Sequence, residues 1–209
     1  VDDAVALAAS ARKRGRIFQV ALPFRHSAMF KRLAELVAEG AIGNPHMASC
    51  VAVRRNIGGT WRHLHERSGG ILVEDAAHVF DLFNWLLGQH ISKVSAFGGQ
   101  ARIRAGVSIE PMEDATAYVE HADVCDHVVC ALHYDEGAHG SLALTFSSPA
   151  RPRMQLSVLG DEGMLVARVE EQAIYLDRQG KVPERFEARP PDGVKDPNVP
   201  GSTEQLRSF

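Results

Sequence analysis

Apolar residues recur at helical spacing in the first part of the chain and alternate with polar ones in the later part, so helices are predicted first and strands afterwards. The opening DDAVALAASARKRG has Val5, Ala8, Ala9 and Arg12 at helical spacing and stops at Gly15. RIFQVALP then reads as a short apolar strand. A helix leading into a buried strand is the grammar of an α/β unit, yet one unit cannot build a parallel sheet, so the chain reads as starting partway through a domain. Ser27 can cap the next helix, AMFKRLAELVAEG, whose stripe is Met29, Phe30, Leu33, Leu36 and Val37 and whose stop is Gly40. After the IGNP turn, HMASCVAVRR reads as a strand, and the polar, glycine-rich NIGGTWRHLHERSGG as a long loop. GGILVEDAAHVFDLFNWLLG, residues 69–88, reads as one helix that is apolar almost all round.

Beyond that helix the period becomes two. DHVVCALHY places Val128, Cys130, Leu132 and Tyr134 on one face, and GSLALTFSS places Leu142, Leu144 and Phe146 there, with DEGAHG as the hairpin turn between them. RMQLSVLG, GMLVARVE and AIYLD continue the pattern through the turns GDEG and DRQG. Consecutive hairpins mean an antiparallel sheet, and the helices must cover one of its faces. The predicted fold class is therefore α+β, an open, mostly antiparallel sheet with helices on one side. Residues 188–201 read as a proline-rich connector, and STEQLRSF as the start of a helix too short to stand alone. Both ends read as cut.

Composition narrows the class. With 45% hydrophobic and 23% charged residues the chain has the balance of an ordinary globular protein. No apolar run reaches the roughly 18 residues of a membrane span, and the N-terminus lacks the basic region of a signal peptide. A net charge of -3 without a Lys/Arg block gives no footprint for nucleic acid or an anionic membrane. The three cysteines, Cys50, Cys125 and Cys130, form no framework and read as reduced thiols, which points to the cytoplasm. Cys125 and Cys130 are five apart, on opposite faces of a strand, and cannot share a metal.

The apolar helix carries the candidate chemistry. Glu74 and His78 are four apart and His78 and Asp81 three apart, so all three share one helical face. Burying such groups without partners costs several kcal/mol, so they need partners or a wet cleft. Three readings stay open. His78 is a core histidine bonded between Glu74 and Asp81, or it lines a pocket where it transfers a proton while Glu74 accepts hydrogen bonds from substrate hydroxyls, or it joins His63 and His65 in a metal site. No spacing of the HExxH kind supports the last.

These residues carry a resemblance. SGGILVEDAAHVFDLFNWLLG resembles the Gfo/Idh/MocA signature: two glycines, an acidic residue, His four later and Asp three after that. ALPFRHSAMFKRLAELVAEGAIGNPH, TWRHL, YDEGAHGSLALTF and LGDEGMLVA resemble other family stretches in the same order, and the likeness covers nearly the whole chain. It implies an NAD(P)-dependent oxidoreductase built of a Rossmann domain and an α+β domain, acting on a sugar, cyclitol or related polyol. Residues 1–24 would then be a remnant of the dinucleotide-binding domain and 25–209 the substrate and oligomerisation domain. By the same resemblance His78 is the proton acceptor or donor beside the reacting carbon. Glu74 takes the acidic position four before it, where the family more often has Asp, and Asp81 orients the helix or His78. Arg25, Trp61 and Arg62 fall where substrate contacts occur.

The cofactor, NAD or NADP, is implied by resemblance only. The chain has no G-x-G-x-x-G, and the lysine motif that the family places before this region is absent. These 209 residues alone are therefore expected to be inactive. The alternative is a non-catalytic module that binds a small molecule or dimerises through its sheet. On either reading an open sheet with exposed edges predicts a homo-oligomer.

Overall fold

The computed structural model describes residues 2–54, 60–101, 122–146, 148 and 150–188. Part of the expected loop, most of the proline-rich connector and the closing helix lie outside them. The described residues form five helical segments, α1 (Asp2–Lys13), α2 (Ala28–Ala38), α3 (His65–Ser68), α4 (Ile71–Glu74) and α5 (Ala76–Leu87), with short 3₁₀ turns at Pro23–His26 and Thr60–His63. Eight strands make one sheet: β1 (Pro45–Val53), β2 (Ile91–Gly99), β3 (His127–Tyr134), β4 (His139–Thr145), β5 (Arg153–Gly160), β6 (Met164–Arg168), β7 (Ala173–Asp177) and β8 (Glu184–Glu187). Their order is β2-β3-β4-β1-β5-β6-β7-β8. Every neighbouring pair is antiparallel except β1 with β4, which run parallel with Cys50 opposite Leu142. The fold is α+β, as the hairpin pattern predicts.

The alternation of each central strand sets the core. Ala48, Cys50 and Ala52 of β1, Val128, Cys130, Leu132 and Tyr134 of β3, and Leu156 and Val158 of β5 point inward and are buried. Helix α2 meets β6 and β7, and α5 meets β1. Phe30 and Leu33 of α2 and Leu82 and Phe83 of α5 are fully enclosed between the layers. Ser27 caps α2 by accepting from the Phe30 N–H at 3.2 Å. Gly160 ends β5 against the turn before β1, where a Cβ would lie 2.1 Å from the Ile42 carbonyl oxygen. No larger residue fits there without moving backbone.

Three expectations are corrected. RIFQVALP forms no strand: residues 16–22 have no regular structure, and Ile17 is 80% exposed. An apolar run becomes a strand only where another strand supplies its hydrogen bonds and a layer covers it. The single helix of residues 69–88 is two, because the backbone departs at Asp75 (φ -104°, ψ -42°) between α4 and α5. Nor is it apolar-buried all round, since Val73 is exposed and Leu72, Phe80 and Trp85 are half-buried. Gly69 and Gly70 both have positive φ, 73° and 81°, so the tight entry into α4 needs the pair of glycines. Strands β2 and β8 have no counterpart in the pattern analysis.

Cys50 lies under the sheet's helical cover, and burial pushes its thiol up to about 12 from 9.0. The native thiol therefore keeps its proton while the unfolded one loses it, so stability falls as pH rises from about 9 towards about 12. Urea unfolding across that range is expected to show a steeper alkaline decline for the natural chain than for Cys50→Ala; equal slopes would contradict it.

Candidate functional site

Three carboxylates leave the α4–α5 segment close together, and each meets an arginine from a different part of the chain. Arg25, in the 3₁₀ turn Pro23–His26, donates from Nε and Nη2 to the two Asp81 oxygens at 2.7 and 2.8 Å. This is a bidentate fork, and it holds the guanidinium pKa above its ordinary value. The Arg25 guanidinium also lies 5.4 Å from the Trp85 ring centre. Arg62 brings Nε to 3.2 Å from Glu74 Oε1, and Arg54, just past β1, brings Nε to 3.7 Å from Asp75 Oδ2. Those two contacts are ion pairs without hydrogen-bond alignment: Arg54 Nε and Arg62 Nε are buried and make no hydrogen bond among the described residues.

His78 stands among these pairs on the first turn of α5. Its backbone N–H donates to the Asp75 carbonyl at 3.3 Å, and its ring packs 5.4 Å from that of Phe24 at a tilt of 49°. Its Nδ1 is buried and has no hydrogen-bond partner among the described residues. A histidine bonded between Glu74 and Asp81 is therefore not what the structure contains. The reason is chemical: a guanidinium carries a permanent charge and a planar set of donors, so the carboxylates turn to the arginines rather than to the imidazole. What remains is an imidazole whose Nδ1 meets no hydrogen-bond partner among the described residues, beside a set of charge-balanced ion pairs.

The structure thus brings together Glu74, His78, Asp81, Arg25 and Arg62. Arg25 and Arg62 are partners of the acids, not free cations. Trp61 is exposed, with the Arg62 guanidinium 5.2 Å from its ring centre. Asp75 and Arg54 escape the pattern analysis; the available signal was a fourth charged residue within the same apolar segment. His63 is buried and packs edge-on to Phe146 at 6.1 Å. His65 is exposed, and among the described residues no three His, Cys, Asp or Glu side chains gather to hold a metal ion.

The 209 residues contain no G-x-G-x-x-G turn, the element that seats a dinucleotide's pyrophosphate against a helix N-terminus.

The sequence pattern of the GFO/IDH/MocA C-terminal domain matches residues 30–166. The chain belongs to the GFO/IDH/MocA family. Among curated relatives, the scyllo-inositol 2-dehydrogenase (NAD(+)) of Bacillus subtilis (strain 168) is 25% identical over 165 residues, covering 79% of this chain and 44% of that protein. The chain spans about half the length of the curated relatives it matches. Solved structures share the fold. GenD2 from gentamicin A biosynthesis, in complex with NAD, superposes with a TM-score of 0.73 at 22% identity, covering 98% of this chain and 56% of that one. An NAD binding oxidoreductase from Klebsiella pneumoniae has a TM-score of 0.72 at 21% identity over 90% of this chain and 51% of its own. Levoglucosan dehydrogenase, in complex with NADH and levoglucosan, has a TM-score of 0.69 at 19% identity over 92% and 55%.

The Arg25–Asp81 fork joins the 3₁₀ turn Pro23–His26 to α5, with side chains 40% and 16% exposed. Asp81→Ala is expected to destabilise the chain by on the order of 1 kcal/mol in urea unfolding, discounted for the exposure of Arg25. Arg25→Lys should lose most of the same amount, because an ammonium cannot make two parallel bonds. Unchanged stability in Arg25→Lys would show that the fork does not matter.

Proposed function

We propose that residues 25–209 form the substrate half of an NAD(P)-dependent oxidoreductase acting on a sugar, cyclitol or related polyol, with His78 as its proton acceptor or donor. The observation that carries this reading is the unengaged Nδ1 of His78 within an otherwise paired set of charges. Membership of the GFO/IDH/MocA family and the names of two similar proteins, a scyllo-inositol 2-dehydrogenase and a levoglucosan dehydrogenase, support the reaction type and substrate class. The nicotinamide, NAD or NADP, would supply the hydride acceptor or donor. Residues 1–24 are read as part of the domain that holds it, which accords with the exposed apolar side chains of Ile17 and Phe18.

Within this half, each residue has a separate task. His78 takes the hydroxyl proton in the oxidative direction and returns it in the reductive one. Glu74, whose Oε1 faces Arg62, accepts a substrate hydroxyl at its other oxygen. Asp81 acts at a distance, holding α5 through Arg25. Trp61 offers an exposed ring edge for the apolar face of a sugar, next to Arg62. The reading places the protein in the cytoplasm, in keeping with three free cysteines. Among the described residues no helix is long and apolar enough to cross a membrane. The second reading, a non-catalytic binding or dimerisation module, is favoured by the pairing of Glu74, Asp75 and Asp81 with arginines.

The two readings separate in the polypeptide that carries the dinucleotide site. His78→Gln there is expected to lower polyol-dependent turnover by about 10²–10⁴-fold, with NAD(P)H binding, read by fluorescence, unchanged. Undiminished turnover would remove His78 from the chemistry. A homo-oligomer through the open face of the sheet is also proposed, on the exposure of Phe97 (80%), Val129 (57%), Val51 and Met47. Val129→Glu should then shift the sedimentation coefficient to that of a monomer; a natural chain already monomeric would contradict this.

A further inference from the structure

Arg54 leaves β1 on the side of the sheet that carries the buried Cys50 and Ala52, the side covered by helices. Its backbone is fixed to the sheet: the N–H donates to the Thr145 carbonyl at 2.7 Å, and the carbonyl accepts from the Ser148 N–H at 3.1 Å. Its side chain reaches the helical layer, with Nε 3.7 Å from Asp75 Oδ2 and the two side chains 23% and 14% exposed. Asp75 stands at the N-cap of α5, yet its side chain makes no capping hydrogen bond. The carboxylate is left for Arg54.

Asp75 also places His78. Its backbone is helical (ψ -42°) and its carbonyl accepts the His78 N–H at 3.3 Å, so residues 75 and 78 are i, i+3 neighbours on one helical turn. The Cys50 thiol beneath the pair registers both charges: burial is the main cause of its rise to about 12, Arg54 works against that rise, and Asp75 adds to it. The other charged groups of the cluster are balanced among themselves, Glu74 by Arg62 and Asp81 by Arg25. Phe24, packed on the imidazole, brings no charge. The Arg54–Asp75 pair is thus the one whose carboxylate and backbone both act on the first turn of α5.

We propose that Asp75 and Arg54 are the positioning pair of His78: Asp75 fixes the imidazole at the start of α5 and favours its protonated form, while Arg54 holds Asp75 and offsets its charge. The proposal rests on the reading of His78 as proton acceptor or donor, but its test needs no turnover. The His78 ring is titrated by NMR in the full chain, its signals assigned by their loss in His78→Gln. Arg54→Gln leaves Asp75 uncompensated and is expected to move the midpoint up by roughly half to one pH unit, the effect of one charge about 7 Å away in a medium between protein and water. Asp75→Asn leaves Arg54 uncompensated and should move it down by a similar amount. Arg54→Lys, which keeps the charge, and the double variant, which removes both, should match the natural chain. A loosened fold would move the two single variants in the same direction, so shifts of one sign, or none, would overturn the proposal. If the midpoint stays still while His78→Gln abolishes turnover in the polypeptide that carries the dinucleotide site, the pair fails and the reaction reading stands. Opposite shifts with undiminished turnover in His78→Gln would remove the reaction and leave the effect of the pair on the imidazole.

Discussion

A carboxylate on an apolar helix is stable only if a cation reaches it, and here that need organises the region around His78. Asp81, Glu74 and Asp75 are met by Arg25, Arg62 and Arg54, which come from a 3₁₀ turn, a second 3₁₀ turn and the end of the central strand. Each pair ties a separate piece of chain to the α4–α5 segment. Ion pairs with side chains this exposed gain little net free energy, because solvent screens the attraction and desolvation offsets part of the rest. Their effect is thus to fix which segments meet, more than to raise stability.

Charge balance around His78 also limits what the site can do. With the carboxylates engaged by arginines, the ring nitrogen left without a hydrogen bond among the described residues is Nδ1 of His78. Phe24 packs on its ring, and Phe24 is next to Arg25, so the same short turn that anchors Asp81 also walls the histidine. A shift of that turn would move both at once.

Much of this was legible in the sequence. The hairpins β3–β4, β5–β6 and β6–β7, the capped helix α2 and the positions of Glu74, His78 and Asp81 within one apolar helical stretch follow from periodicity, which is a local property, whereas the insertion of β1 between β4 and β5 does not. What escaped is non-local or lacks a pattern. β2 carries Ser92, Lys93, Ser95, Gly98 and Gly99 and is exposed over most of its length, so no alternation marks it. β8 is four residues long. The break at Asp75 keeps the apolar spacing on both sides and is invisible to it. Arg25 and Asp81 are 56 residues apart, and nothing in either neighbourhood announces the fork. Residues 16–22 failed in the opposite sense: an apolar run was present, and the partner that makes it a strand was not.

Strand β1 comes first of the eight described strands yet lies inside the sheet, between β4 and β5. Ala48 waits for Gly140 on one side and Val158 on the other, so both of its edges stay bare until most of the described chain has been made. Such long-range closure is slow, and a ribosome delivering these eight strands in order leaves this one exposed the longest of them. The order of the sheet therefore makes the birth of the molecule, more than its finished state, the moment when it is most open to aggregation and most in need of a chaperone.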